Sequence, residues 1–515
     1  MSAVRDAPTD LEAPPLPAPR DGRVSASRDA DLATVAPAVA PVLLVRTANT
    51  YVEERRYVFD VVLSEWLGLA YELEFEDRGF VSIRLAGDPA NRELTLPDGL
   101  FATDTGAWLT QSSMPTLPLA DVALDAVDAD GPARRNSPRG QLPVLYGRPG
   151  SSGSPLARTG DGLDLSVDAF GGVFFLLTRY EELANPVHDR HGRFPAGASL
   201  CDRAGVLERP LADEYVDLLW TAIHTLWPAL VRRPAAFRLR LTHDIDRPWT
   251  AVGQTLGNAA RSVVGDVFHR RDATLAVRRV RAIMDAHSDR VDRDPLDTFD
   301  FLMGVSEHHG LTSTFYVMAG NVPGDPDFRY RLAGPRFTDL LRRIHERGHE
   351  VGLHGSYASF KSAERMRMEL DALRTACRAA GFEQPAWGVR QHFLRFDNPL
   401  TWRCQATVGL AHDSTLGFAE RIGFRAGTCR EYPVFDLVER RRLAVRERPL
   451  VVMDATLLEY MHLAADEAAA RTRGVVDVCR RHGGDAVVLY HNSTLPEPRM
   501  RRHYRELVEE LTGSR

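Results

Sequence analysis

The chain has 515 residues, with 64 basic against 70 acidic side chains and a formal net charge of −6. The two signs are interspersed without long single-sign blocks, which excludes a nucleic-acid or anionic-membrane partner captured by bulk electrostatics, and the length calls for two or three units that each bury a core. Its 5 cysteines include no pair two or three residues apart, so neither a disulfide framework nor a thiolate zinc knot is implied, which fits a reducing compartment.

Residues 1–40 are rich in Ala, Pro and Asp, have no periodic apolar face and read as a disordered leader. No signal-peptide core is visible. The early apolar run VAPAVAPVLLV is interrupted by prolines and too short to span a bilayer, so the expectation is a cytoplasmic protein without a transmembrane segment. From 41 to 232, strands such as YELEFED and GFVSIRL alternate with DRG, GDP and PDG turns, and GLDLSVDAFGGVFFLLTRYEELA runs from a strand into a helix. This predicts a smaller α/β accessory domain of unknown role, closed by the helix PLADEYVDLLWTAIHTLWPAL with Pro210 near its start. Arg179, Glu181 and Glu182 read as a solvated helix face in preference to an interface with the next unit.

The second unit, 236–515, opens with AFRLRLTHDID and continues through a helical insertion near 251–300. Strands and helices then alternate: LTSTFYVMAGN, FTDLLRRIHERG, HEVGLHGSY, AERMRMELDALRTACRAAG, WGVRQHFLRF and finally VVLYHNS. The alternation predicts an α/β fold with a parallel sheet, open or closed into a barrel. Each polar cluster follows a strand, so all of them can share one rim.

Four clusters carry chemistry. THDID puts Asp244 and Asp246 on the same side of an extended strand, where one carboxylate can bind a metal while the other acts as a base. GLHGSY offers His354 and Ser356, and GVRQHFLRF offers Arg390, His392 and Arg395, an arginine being suited to orienting a carboxylate through two parallel hydrogen bonds. VVLYHNS offers His491 at the mouth of a buried strand. Singly, each has a plain structural reading, such as a capping or solvated carboxylate for Asp-x-Asp; together at four strand ends they favour a site. Ser356 and Ser493 lie in no G-x-S-x-G elbow, which disfavours a serine hydrolase. Asp244 and Asp246 are too close along the strand to be the flanking pair of a retaining glycosidase, a case that only Glu459 reopens.

Over about 236–505 these motifs, with GLTSTFYV and GHEVGLH, resemble the polysaccharide deacetylase family, metal-dependent carbohydrate esterases with a NodB-like distorted (β/α) barrel. The resemblance implies Asp244 as base, Asp246 as metal ligand, His354 as the first of two ligand histidines four residues apart, Arg390 as the group orienting the base, and His491 as acid. It also matches Asp413, in GLAHDSTLGF, to an acidic residue that tunes this network. Three departures stand out: Asp-x-Asp replaces an adjacent Asp pair, Ala358 stands where the second histidine belongs, and Gln391 and His392 follow the arginine where the family has proline.

One histidine is lost where another is gained, so Asp246, His354 and His392 read as the ligands of a divalent ion, zinc first. His462, in EYMHL, is disfavoured as the substitute because its apolar surroundings fit a buried structural histidine. DAFGGVFFLLTRYEE and the following DRHGRFP loop resemble the amino-terminal module found ahead of such deacetylase domains. The function implied is hydrolysis of an N-acetyl group on a sugar or a nucleotide- or lipid-linked precursor of surface polysaccharide. Two alternatives stay open: a noncatalytic sugar-binding or assembly protein on a degenerate scaffold, and a metal-dependent hydrolase of another small amide.

Overall fold

The computed structural model describes residues 41–513 apart from 125–130, 138–139, 149–152, 251–276, 278–279, 281–293, 321–326 and 328–329. The leader expected over 1–40 and most of the helical insertion expected near 251–300 lie outside the described residues. Among the described residues no helix is long and apolar enough to cross a membrane.

The first region is built on a mixed sheet. Its strands are β1 (Val42–Ala48), β2 (Ala70–Glu76), β3 (Phe80–Leu85), β4 (Glu93–Pro97), β7 (Leu156–Thr159) and β8 (Gly162–Leu165), ordered β2-β1-β3-β4-β8-β7; β5 (Ala120–Ala123) and β6 (Gln141–Val144) form a separate pair. Alternation sets the buried face: Leu43 and Val45 of β1 and Leu94 and Leu96 of β4 are buried while their neighbours are partly exposed. The helix Ala169–Leu177 is apolar all round and therefore wholly buried, its first turn capped by Asp168, which accepts the Gly171 N–H at 2.8 Å. Gly172 lets it press on the helix Leu211–Leu226, for a Cβ there would lie 2.4 Å from the Tyr215 ring.

The second sheet has nine strands: β9 (Arg238–Ile245), β10 (Thr314–Met318), β11 (Glu350–Gly355), β12 (Gly388–Gln391), β13 (His412–Asp413), β14 (Tyr432–Asp436), β15 (Arg441–Glu447), β16 (Leu450–Met453) and β17 (Asp485–Leu489). They run in the order β14-β15-β13-β12-β11-β10-β9-β17-β16, every pairing parallel except β14 with β15. The central strands are buried along nearly their whole length, as expected of a parallel sheet covered on both faces. Crossover helices carry the apolar spacing that covers it: in Pro335–Glu346 the buried residues are Phe337, Leu340, Leu341 and Ile344.

The distorted barrel expected over 236–515 is a curled half-barrel: among the described residues its edge strands β14 and β16 do not pair with each other. The first region packs against the β14–β15 hairpin. Val434, Phe435, Leu443 and Val445 belong to the same apolar core as the first region; Phe435 meets Tyr57 and Phe174 at ring separations of 4.9 and 5.6 Å, and the Tyr57 hydroxyl donates to the Pro433 carbonyl at 2.7 Å. Residues 41–515 accordingly form one compact unit.

The solvated face expected at Arg179, Glu181 and Glu182 is instead buried. These residues follow a wholly buried helix and cannot reach water, so their charges are met internally. Arg179 donates to Glu181 and Glu182, and Glu182 receives Arg425 through Nε at 3.0 Å and Nη2 at 2.9 Å.

Candidate metal centre and active site

Parallel register brings the candidate residues to one rim. His354 of β11 pairs with Met318 of β10 on one side and Arg390 of β12 on the other, while Asp244 of β9 lies opposite Tyr316 of β10. Asp244 and Asp246 project from the same side of the β9 end, as pleating requires, and His243 faces the other way, where its Nδ1 donates to the Tyr490 carbonyl at 2.8 Å. Burial pushes the His243 imidazolium down to about 4, so this histidine is a neutral core residue.

Asp244 is buried and accepts Arg390 Nη1 on Oδ1 at 2.9 Å. Arg390 is itself fixed: Nη1 also donates to Thr242 Oγ1 at 2.9 Å, Nε to the Ser414 carbonyl at 2.9 Å and Nη2 to Ser414 Oγ at 2.8 Å. The bond to Asp244 uses one carboxylate oxygen, leaving Oδ2 3.9 Å from His354 Nε2.

Asp246, His354 and His392 each offer a ligand atom, and these atoms lie within 4.8 Å of one another. Both histidines are oriented through Nδ1: that of His354 donates to the Arg390 carbonyl at 2.9 Å, and that of His392 to Asp327 Oδ1 at 2.5 Å. In a neutral ring this leaves the Nε2 lone pair facing inward, an arrangement common among metal-bound histidines. His354 Nε2 lies 3.0 Å from Asp246 Oδ1, both atoms buried and neither with any other partner. His392 Nε2 stands 3.7 Å from Asp246 Oδ2. Burial pushes the Asp246 carboxyl up, but His392, His354 and His491 outweigh it and hold it well below the ordinary carboxylate range. Two nitrogen donors and one carboxylate converging within 4.8 Å fit a divalent cation.

His491 follows β17 and Asp454 follows β16. The carboxylate accepts His491 Nδ1 on Oδ1 at 2.7 Å and the His491 backbone N–H on Oδ2 at 2.9 Å, and His491 Nε2 is 3.8 Å from Asp246 Oδ2. Burial pulls the His491 imidazolium down, but Asp454 and then Asp246 outweigh it and push it up to about 10.

A cavity of about 160 Å³ is lined by Asp244, Asp246, His354, His392 and His491, together with Arg193, Phe393, Leu394, Glu459 and Tyr460. Phe393 and Leu394, directly after His392, have φ of 62° and 54°. Left-handed backbone at a residue with a Cβ costs about 1–2 kcal/mol, so two in succession must be held by their surroundings.

Asp413 does not take the tuning place expected of it. Its Oδ1 accepts the Thr415 N–H and hydroxyl at 3.1 and 2.5 Å, and it is the next residue, Ser414, that holds Arg390. Asp413 ends β13 and Ser414 follows it, and the two side chains take different partners. Ala358 supplies no donor, but the preceding Tyr357 N–H donates to both oxygens of Asp327 at 3.1 and 3.0 Å, so the loop lacking a histidine anchors the carboxylate that orients His392. Ser356 is spent on Glu369, to which its N–H donates at 3.0 Å. Asp454 was legible by the strand-end rule that singles out Asp244, for it follows the run LVVM directly. Asp327 carries no motif, and Arg193, although inside the DRHGRFP loop, carries no sign of reaching this site; only the fold delivers them.

Residues 43–228 match the model of a family of unknown function, DUF7033. None of the curated proteins matches the chain. Among solved structures, a protein assigned as a polysaccharide deacetylase from Mycobacterium smegmatis is similar at 18% identity and a TM-score of 0.36, covering 54% of this chain and 85% of that one. The Puue allantoinase is similar at 13% identity and a TM-score of 0.34, covering 54% and 84%. A CE4 family pseudoenzyme from Bacillus anthracis is similar at 10% identity and a TM-score of 0.28, covering 55% of this chain and 62% of its own. With scores this low, the chemistry rests on the geometry of the site.

Proposed function

We propose that this chain is a metal-dependent deacetylase of the NodB-like kind, hydrolysing an N-acetyl group on a sugar or on a nucleotide- or lipid-linked precursor of surface polysaccharide. The observation that carries the reading is the pairing of a Asp246, His354 and His392 ligand cluster with two differently partnered groups on the same cavity, Asp244 against Arg390 and His491 against Asp454.

A divalent ion held by Asp246, His354 and His392, zinc by its donor set, supplies Lewis acidity to the amide carbonyl and acidifies water. Asp244 takes the proton from the attacking water; Arg390 occupies its Oδ1 and leaves Oδ2 for this task. His491 carries the opposite proton, kept by Asp454, and gives it to the departing amine nitrogen as the carbon–nitrogen bond breaks. Acid and base thus face one cavity with different partners, Asp454 for His491 and Arg390 for Asp244. The products are acetate and a free amine.

The test is elemental analysis of protein purified without a metal-binding tag, followed by assay of acetate release from N-acetylated amino sugars and their nucleotide conjugates. About one ion per chain and released acetate support the reading. A folded protein that neither retains nor rebinds zinc, cobalt, nickel or manganese overturns it.

A further inference from the structure

The loop Asp189–Arg193 belongs to the segment matching DUF7033, yet it reaches the metal cluster from outside the second sheet. Arg193 Nη1 donates to the Phe393 carbonyl at 3.0 Å, and the His191 carbonyl accepts Arg395 Nε at 2.6 Å. These two bonds bracket Phe393 and Leu394, the left-handed pair that follows His392. The His191 ring packs on the Phe393 ring at 4.9 Å, and its Nδ1 is 3.2 Å from the Tyr357 hydroxyl.

The loop is shaped for this contact. Asp189 Oδ1 accepts the N–H groups of His191 and Arg193 at 2.7 and 2.9 Å, and Oδ2 accepts Arg193 Nε at 2.8 Å, which aims the guanidinium at Phe393. Gly192 makes the turn at φ 71°.

We propose that Arg193, aimed by Asp189, is a positioning residue for the third metal ligand: it holds the strained Phe393–Leu394 turn and so keeps His392 Nε2 directed at Asp246 and His354. This rests on the metal reading above. It assigns a task to the first region, which braces the turn carrying a ligand that stands in for a histidine absent at position 358. A bond that only glued the first region to the second sheet would affect stability and leave metal affinity unchanged.

The experiment is titration of the metal-free, full-length protein with cobalt(II), read by its visible absorption bands, and with zinc against a chromogenic chelator, alongside the Tm of the metal-free form. R193A and D189N are expected to weaken binding by about 10- to 100-fold, the range for residues that orient a metal ligand, and to alter the cobalt spectrum. Because glycine adopts positive φ freely, F393G relieves one of the two strained residues, and adding R193A to F393G is expected to cost less affinity than R193A costs the parent. If R193A is not recovered folded, D189N is judged on the same scale. Parent binding with less than a tenfold loss in folded R193A or D189N overturns this inference and leaves the metal reading standing; a parent that binds neither ion overturns both.

Discussion

His354 Nε2 and Asp246 Oδ1 face each other across 3.0 Å, both buried and neither with any other partner. With His354 neutral, these two atoms are the donor pair a divalent cation would bridge. H354A and H392A are each expected to lose the bound ion, whereas S356A, whose hydroxyl is turned to Glu369, is expected to keep it. D327N, which weakens the orientation of His392 without touching a ligand atom, is expected to lower affinity about 10- to 100-fold. Metal content after dialysis and chelator competition check all four.

Asp244 and His491 are expected to separate kinetically from the ligands. D244N should lower kcat by about 10²- to 10⁴-fold while metal content is retained. H491A should be most impaired on N-acetyl amides with strongly basic leaving amines and least on aryl acetate esters, whose phenolates depart without a proton. Steady-state acetate release across a leaving-group series checks both, and equal impairment of H491A across the series counts against its role as acid.

Glu182 lies between two buried arginines, with Arg179 Nε at 2.9 Å and Arg425 Nη2 at 2.9 Å. E182Q leaves Arg425 without a carboxylate partner, while Arg179 keeps Glu181, and is expected to destabilise the protein by about 3–5 kcal/mol, read from urea unfolding midpoints. A change below about 1 kcal/mol would mean that the carboxylate does not balance the pair.

Asp217 joins the helix Leu211–Leu226 to the helix Ala465–His482, receiving His482 Nδ1 at 3.0 Å, Asn136 Nδ2 at 2.7 Å and Arg232 Nη1 at 2.9 Å. Burial pushes its carboxyl up, but His482, Asn136 and Arg232 outweigh that and bring it down to about 2 from an ordinary 3.8. A carboxyl whose folded value is depressed stabilises the fold above the unfolded value and loses that contribution as pH falls through the folded one. The parent should therefore lose roughly 2 kcal/mol between pH 4 and pH 2 through this group, and D217N should lack that part of the slope while being less stable at pH 7. Urea unfolding at stepped pH measures it.

The sequence by itself determined the parallel α/β pattern of the second region and the strand ends at which Asp244, Asp246, His354, Arg390 and His491 stand, because strand period and strand-end polarity are local properties of the chain. It also marked His392 as the residue gained where Ala358 lost a donor. Tertiary structure alone decided the rest. Asp413 takes Thr415 as its partner and Ser414 takes Arg390, a difference that a two-residue strand does not announce. The RYEE charges are buried because a separate segment supplies Arg425. Asp327 and Arg193 reach the site from loops 65 and 199 residues away from His392, and no periodicity encodes such a meeting. The first region's apolar core covers the β14–β15 hairpin, a packing of two distant surfaces that one-dimensional patterning cannot register.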